Sequence, residues 1–125
     1  MKFKQSLKLR KYFREYARKW RKANPKRFQA TQRRSNNKLK TVVLTYYGKR
    51  GMLQCCWPAC NVIDIDMLTL DHINDEGYKD KRKHGRGITF YKKIKVKRFP
   101  VGFQTLCANH QLKKEILRRR KLNVL

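Results

Sequence analysis

Apolar positions near the start of the chain recur at helical spacing. Leu9, Phe13, Tyr16, Ala17 and Trp20 fall three and four residues apart between Leu7 and Ala23, with Lys and Arg on the other faces. That periodicity predicts an amphipathic helix over 7–23. Asn24-Pro25 closes it and opens another, since Asn is a good N-cap and Pro is tolerated at the first helical position. The polar run QATQRRSNNK then leads to a second apolar stripe, Leu39, Val42, Val43, Tyr46 and Tyr47. One helix or a pair of helices is expected there, ending at Gly48 as a C-cap.

Beyond Gly48 the pattern shortens. Gly48–Gly51 is a basic turn leading into the cysteine-rich QCCWPAC. MLTLDHI (67–73) is short and apolar with β-type character, and predicts a strand. Asn74 to Gly87 is polar and punctuated by glycine, as a loop would be. Ile88–Lys97 sets aromatic and branched residues among Lys; helix and strand both fit, and periodicity does not choose. PVGFQTL (100–106) predicts a second short strand, and Ala108–Leu122 a basic terminal helix. The expected class is α+β, with a basic helical arm (1–47) followed by a domain over 48–125. There is no internal repeat.

Charge changes the picture most. The chain of 125 residues carries 34 Lys/Arg against 8 Asp/Glu, a formal net charge of +26. Self-repulsion on that scale opposes compaction, and a polyanion relieves it. Residues 1–50 hold 18 of the basic residues and a single acid, Glu15. Within this arm Arg10, Lys11, Arg14, Arg18, Lys19, Arg21, Lys22, Arg33 and Arg34 are expected to contact nucleic-acid phosphates, as are Lys113 and Lys114 in the terminal helix. The aromatic stripe among them is better suited to packing than to stacking on bases. Nothing in these segments resembles a base-reading code, so the contacts should tolerate any sequence. Six of the eight acids (Asp64, Asp66, Asp71, Asp75, Glu76, Asp80) lie in one short window. Most of them suit solvated loops that neutralise nearby Lys.

No apolar stretch approaches the roughly 20 residues that span a bilayer, so no membrane partner is expected. The N-terminus, MKFKQSLKLRK, lacks the apolar segment of a secretory signal. An intracellular, cytoplasmic protein is the expectation, with an organelle as the second location, because the basic amphipathic start resembles a transit peptide. In that setting four cysteines favour metal ligation over disulfides. Cys107-x2-His110 has good ligand spacing at a strand-to-helix junction. Before the first strand, Cys55-x4-Cys60 and Cys56-x3-Cys60 are both conceivable; Cys55 is preferred because a loop containing Pro58 then makes a knuckle. Three thiolates and an imidazole suit tetrahedral zinc, and a clip joining the two ends would support a small core.

The order of these motifs, a cysteine pair, then LTLDHIN-x2-G, then GFQTLCANH-x3-K, resembles the HNH endonuclease family. The likeness is to the small zinc-containing type common in phages and mobile elements, and it spans about Leu39 to Lys114. The resemblance implies a zinc-stabilised ββα-metal (HNH, His-Me finger) core behind the basic helical extension. It further implies a DNA endonuclease that hydrolyses phosphodiester bonds with magnesium or manganese. His72 matches the general base, a role that imidazole suits by titrating near neutrality. Asp71 matches the carboxylate that holds the catalytic metal. Cys55, Cys60, Cys107 and His110 match the structural zinc positions. Gln111 stands where the family usually has His or Asn as a second ligand of the catalytic metal, and its carbonyl can bind magnesium. Gly102 stands at the position of the family's middle Asn; Asn74 or His84 could supply a further contact, although His84, within KDKRKHGRG, better suits a DNA or solvent contact. DNA is the expected partner, with RNA as an alternative. A second class of function remains: a non-catalytic nucleic-acid-binding protein on an HNH-like fold, such as a ribosomal or other nucleoprotein component.

Overall fold

A computed structural model describes residues 6–74 and 87–124. The expected loop 74–87 therefore lies almost wholly outside the described residues, as do Asp75, Glu76, Asp80 and His84. The described chain is α+β. Its elements are α1 (Leu7–Ala23), α2 (Pro25–Tyr46), a 3-10 turn (Lys49–Gly51), β1 (Leu68–His72), α3 (Ile88–Val96), β2 (Phe103–Cys107) and α4 (Ala108–Val124). It divides into two compact units, Met1–Ser35 and Asn36–Leu125.

In the first unit, α1 starts at Ser6, whose hydroxyl accepts the Leu9 amide at 3.2 Å and satisfies an otherwise orphaned N–H. The helix ends at Asn24. Asn24 stands at the N-cap of α2 and Pro25 at its first position, as expected; the Asn24 carbonyl accepts the Phe28 amide at 3.0 Å, and its side-chain amide donates backwards to the Trp20 carbonyl at 3.0 Å. No residue of α1 is buried. The stripe expected to pack is exposed along its length, at Leu9, Phe13, Tyr16 and Trp20. Its rings meet one another instead, Tyr12 stacking on Tyr16 with centroids 6.5 Å apart.

The second unit holds the core. β1 and β2 form an antiparallel pair in which Leu68 faces Cys107, Asp71 faces Gln104 and His72 faces Phe103. One cluster gathers Leu44, Cys55, Cys60, Leu68, Leu106 and Cys107. The other joins Val43 and Tyr47 to Ile94, with Phe90, Phe99 and Phe103 against it. The second apolar stripe of the sequence packs in part: Val43 and Tyr47 are buried, Val42 and Tyr46 are exposed, and Leu44, outside the stripe, is fully buried. Tyr47 and Thr105 weld α2 to the hairpin: Thr105 N–H donates to the Tyr47 carbonyl, and the buried Thr105 hydroxyl donates to the Leu44 carbonyl at 2.7 Å.

Ile88–Lys97, undecided from its pattern, is helical, and it buries Ile94. The second strand starts later than expected, at Phe103. Gly102 lies at φ 109°, and Arg98 and Phe99 lie at φ 58° and 55°. Such left-handed residues cannot continue a strand, and they hold Pro100–Gly102 in a turn. Cys107 consequently closes β2 instead of following it. Gly48 follows the end of α2 with φ −75°, so the helix does not end there in a left-handed glycine. A close approach demands glycine there, because a Cβ would lie 1.7 Å from the Met52 carbonyl oxygen.

Candidate metal centre and the Asp-His strand end

The knuckle between the 3-10 turn and β1 is shaped by backbone bonds. The Cys55 amide donates to the Val62 carbonyl, the Cys56 amide to Thr105, and the Cys60 amide to Trp57. Ala59, just past Pro58, takes a left-handed φ of 62°, which turns the chain back on itself. The knuckle carbonyls do not go unpaired. Lys49 Nζ donates to Trp57 O (3.1 Å) and Cys60 O (2.9 Å), and Gln54 Nε2 donates to Cys60 O (3.0 Å). Neither Lys49 nor Gln54 was marked by the sequence, since a Lys after Gly48 is indistinguishable there from the surrounding charge.

These bonds bring Cys55 and Cys60 against Cys107 and His110, at the junction of β2 and α4. The four ligand atoms all lie within 4.8 Å of one another, and the cluster could hold a metal ion. Cys107 Sγ is 3.1 Å from His110 Nδ1, Cys55 Sγ is 3.6 Å from it, and Cys60 Sγ is 4.0 Å from Cys107 Sγ. A tetrahedral ion with bonds of about 2.0–2.3 Å needs edges of about 3.5–3.8 Å, so the residues present fit one. The cysteines are all unbridged. The two conceivable first ligands separate: Cys55 is in the cluster, whereas the Cys56 thiol donates to the Tyr47 carbonyl at 3.2 Å.

Electrostatics around the thiols is uneven. Burial pushes the Cys55 thiol up to about 11, although the Cys107 N–H donates to its sulfur at 3.2 Å. The Val62 amide acts the other way on Cys60, stabilising its thiolate and lowering its pKa, with the Lys49 ammonium assisting. The Trp57 indole lies flat on the His110 ring, with centroids 4.8 Å apart and planes at 9°, which fixes the imidazole in orientation. Such support around ligands is what holds a metal site to one geometry.

Asp71 and His72 occupy the opposite end of the hairpin. Three to four residues of strand separate them from the Leu68–Cys107 pair, about 10–13 Å at the usual rise. Successive strand side chains alternate, so the two point to opposite faces. Asp71 Oδ2 accepts from Gln104 Nε2 at 2.9 Å, its cross-strand neighbour, and from Lys114 Nζ at 2.7 Å. Lys114 reaches over from α4 and donates also to the carbonyls of His72 and Ile73. It was expected on phosphates, and here it is an ion-pair partner of the strand end. The His72 ring packs on Phe103 and Phe90, at centroid distances of 4.9 and 5.7 Å. Gln111 directs its amide nitrogen at the Leu70 carbonyl at 3.5 Å, one strand residue short of Asp71. Gln104 was missed by sequence reasoning; its signal is the register that sets it opposite Asp71.

The remaining expected contacts are spread along the helices. Arg10, Lys11, Arg14, Arg18, Lys19, Arg21 and Lys22 are exposed on α1, Arg33 and Arg34 on α2, and Lys113 on α4. Lys11, Arg14, Glu15, Arg18 and Arg21 line a shallow groove of about 360 Å³. Asn74 is exposed. No helix among the described residues is long and apolar enough to cross a membrane. No protein-family model, curated protein or solved structure matches this chain.

Proposed function

We propose that this chain is an HNH-type DNA endonuclease, hydrolysing phosphodiester bonds with a divalent ion at Asp71 and with zinc in the Cys55–Cys60–Cys107–His110 cluster. The observation that carries the reading is the pairing of two distinct ends on one hairpin. A soft-ligand cluster clasps one end, and the other is closed by a carboxylate and an imidazole on consecutive strand residues, one on each face. Three thiolates and an imidazole complete a tetrahedron from protein atoms alone, which suits zinc in a structural role. The distance between the two ends keeps that ion out of the chemistry.

At the other end, the His72 imidazole accepts a proton from the attacking water. The carboxylate of Asp71 and the amide carbonyl of Gln111 would hold the catalytic ion, magnesium or manganese, which would supply neutralisation of the charge that develops on the phosphate and on the departing 3′ oxygen. Phe90 and Phe103 fix the imidazole plane. The exposed cations of α1 and α2 bind the DNA backbone, in a manner set by phosphate charge and not by base sequence.

The expected result is nicking or cutting of plasmid DNA by the zinc-loaded protein in magnesium or manganese. His72→Ala, purified in parallel, should lose at least about a hundredfold in rate while still binding DNA. Equal behaviour of the two proteins across metals and DNAs would remove the catalytic assignment. One observation favours a second reading: the Asp71 carboxylate is already ion-paired to Lys114. On that reading the fold is a nucleic-acid-binding module without hydrolysis, and tight, salt-sensitive binding of DNA or RNA with no cleavage identifies it.

A further inference from the structure

We infer that Lys114 makes metal loading at Asp71 depend on the nucleic-acid substrate: the free protein holds no divalent ion there, and the ion enters together with a phosphodiester. This rests on Asp71 being the carboxylate of the catalytic site.

Charge at the Asp71 carboxylate decides when an ion can enter. Lys114 lies 2.7 Å from Asp71 Oδ2, and both side chains are largely shielded, at 23% and 11% exposure. Gln104 donates to the same oxygen at 2.9 Å. Oδ2 is thus committed to two donors, and Asp71 offers one oxygen to a metal. Among the described residues, the groups bonded at that oxygen are Lys114 and Gln104, so the carboxylate's negative charge is matched by one ammonium. Magnesium and manganese bind hard, anionic oxygens and give up water reluctantly, and they commonly complete their sites with substrate phosphate. An ammonium on the same carboxylate would sit a few ångströms from the incoming dication and repel it. That repulsion is substantial even in a water-like dielectric, and stronger at a shielded site. A phosphodiester reverses the balance. Its anionic oxygens supply the ligand charge the protein withholds, and they offer the Lys114 ammonium an anionic acceptor in place of Asp71.

Lys114 is well placed for this. Its ammonium also binds the carbonyls of His72 and Ile73, so it is anchored at the strand end whether or not Asp71 releases it. It therefore acts through Asp71, as a positioning residue that sets when the carboxylate takes up metal. A free enzyme that holds no catalytic ion makes no activated water away from DNA.

Manganese binding to the zinc-loaded full chain, followed by electron paramagnetic resonance with no nucleic acid present, tests the inference. Wild type should show no site that Asp71→Asn removes. Lys114→Gln keeps a donor for the strand carbonyls and removes the charge, and it should gain such a site, tighter by about tenfold or more. Lys114→Arg keeps the charge and should match wild type; agreement of melting temperatures across the three identifies folded variants. Adding a short DNA duplex should raise the manganese affinity of wild type by more than that of Lys114→Gln. Wild type binding manganese through Asp71 as tightly as Lys114→Gln does would overturn the role of Lys114 and leave the nuclease reading standing. If Lys114→Gln gains a site that Asp71→Asn does not remove, Asp71 is not the ligand, and the nuclease reading itself fails.

Discussion

At the scale of single residues, the two adjacent cysteines divide a structural role from an incidental one. Cys55 is fully buried, with its sulfur facing His110 and receiving the Cys107 amide, whereas Cys56 is only half-buried and bonded to a backbone carbonyl. Cys55→Ser replaces a soft ligand by a hard one and leaves the cluster with three good donors. The variant should lose the bound metal and much of its fold, because binding energy at such a site is folding energy. Cys56→Ser exchanges one weak donor for another and should change stability by no more than about 1 kcal/mol. Native mass spectrometry of both proteins, counting metal per chain, checks this; metal retained by the Cys55 variant and lost by the Cys56 variant would reverse the assignment. Ligand types and spacing made the cluster legible in the sequence, because thiolates and imidazole in two close pairs have few other uses. The supporting shell was not legible. Lys49 and Lys114 differ from some thirty other cations only by what tertiary structure sets beside them.

At the scale of elements, the join between α2 and the turn before β2 is set by Tyr47. Its ring packs on Phe103 and Phe99, with centroids 5.5 and 6.4 Å away, and its hydroxyl donates to the Pro100 carbonyl. Burial, assisted by the neighbouring Tyr46, pushes the phenol from 10.0 up to about 12. The folded state thus holds this proton more tightly than the unfolded chain does. The stabilisation is fully present below pH 10 and is lost as pH rises towards 12. Tyr47→Phe keeps the ring and removes the hydroxyl, so it should cost roughly 1 kcal/mol near pH 8. That difference should shrink above pH 10, as read from urea midpoints of metal-loaded wild type and variant. A constant difference up to pH 12 would mean the phenol is not held as described. The same turn explains why the second strand was mislocated. PVGFQTL alternates well enough, but left-handed Arg98 and Phe99 give no compositional sign, since neither residue favours that conformation. The helix over 88–96 was undecided for a related reason: with one fully buried position, Ile94, its pattern barely differs from that of a strand.

At the scale of the whole molecule, charge and core are separated along the chain. Among the described residues the buried ones all fall between Val43 and Cys107, whereas α1 contributes cations and no buried side chain. Its periodicity was legible; within its own unit the stripe is exposed, on a helix that carries eight cations and one acid. This division predicts that binding and stability respond independently. Replacing Arg14, Arg18 and Arg21, which line one groove on α1, by Gln should leave the melting temperature of the full chain within a degree or two, because no buried contact is lost. Nucleic-acid affinity should fall, and the slope of log affinity against log salt should shrink by about 1 for each phosphate contact removed. The loss should be similar for unrelated DNA sequences, as expected of groups that meet only the backbone. Fluorescence anisotropy over a salt series, on two duplexes of different sequence, measures all three quantities. An unchanged salt slope would remove α1 from the binding surface, and an affinity loss confined to one duplex would show that these arginines read bases.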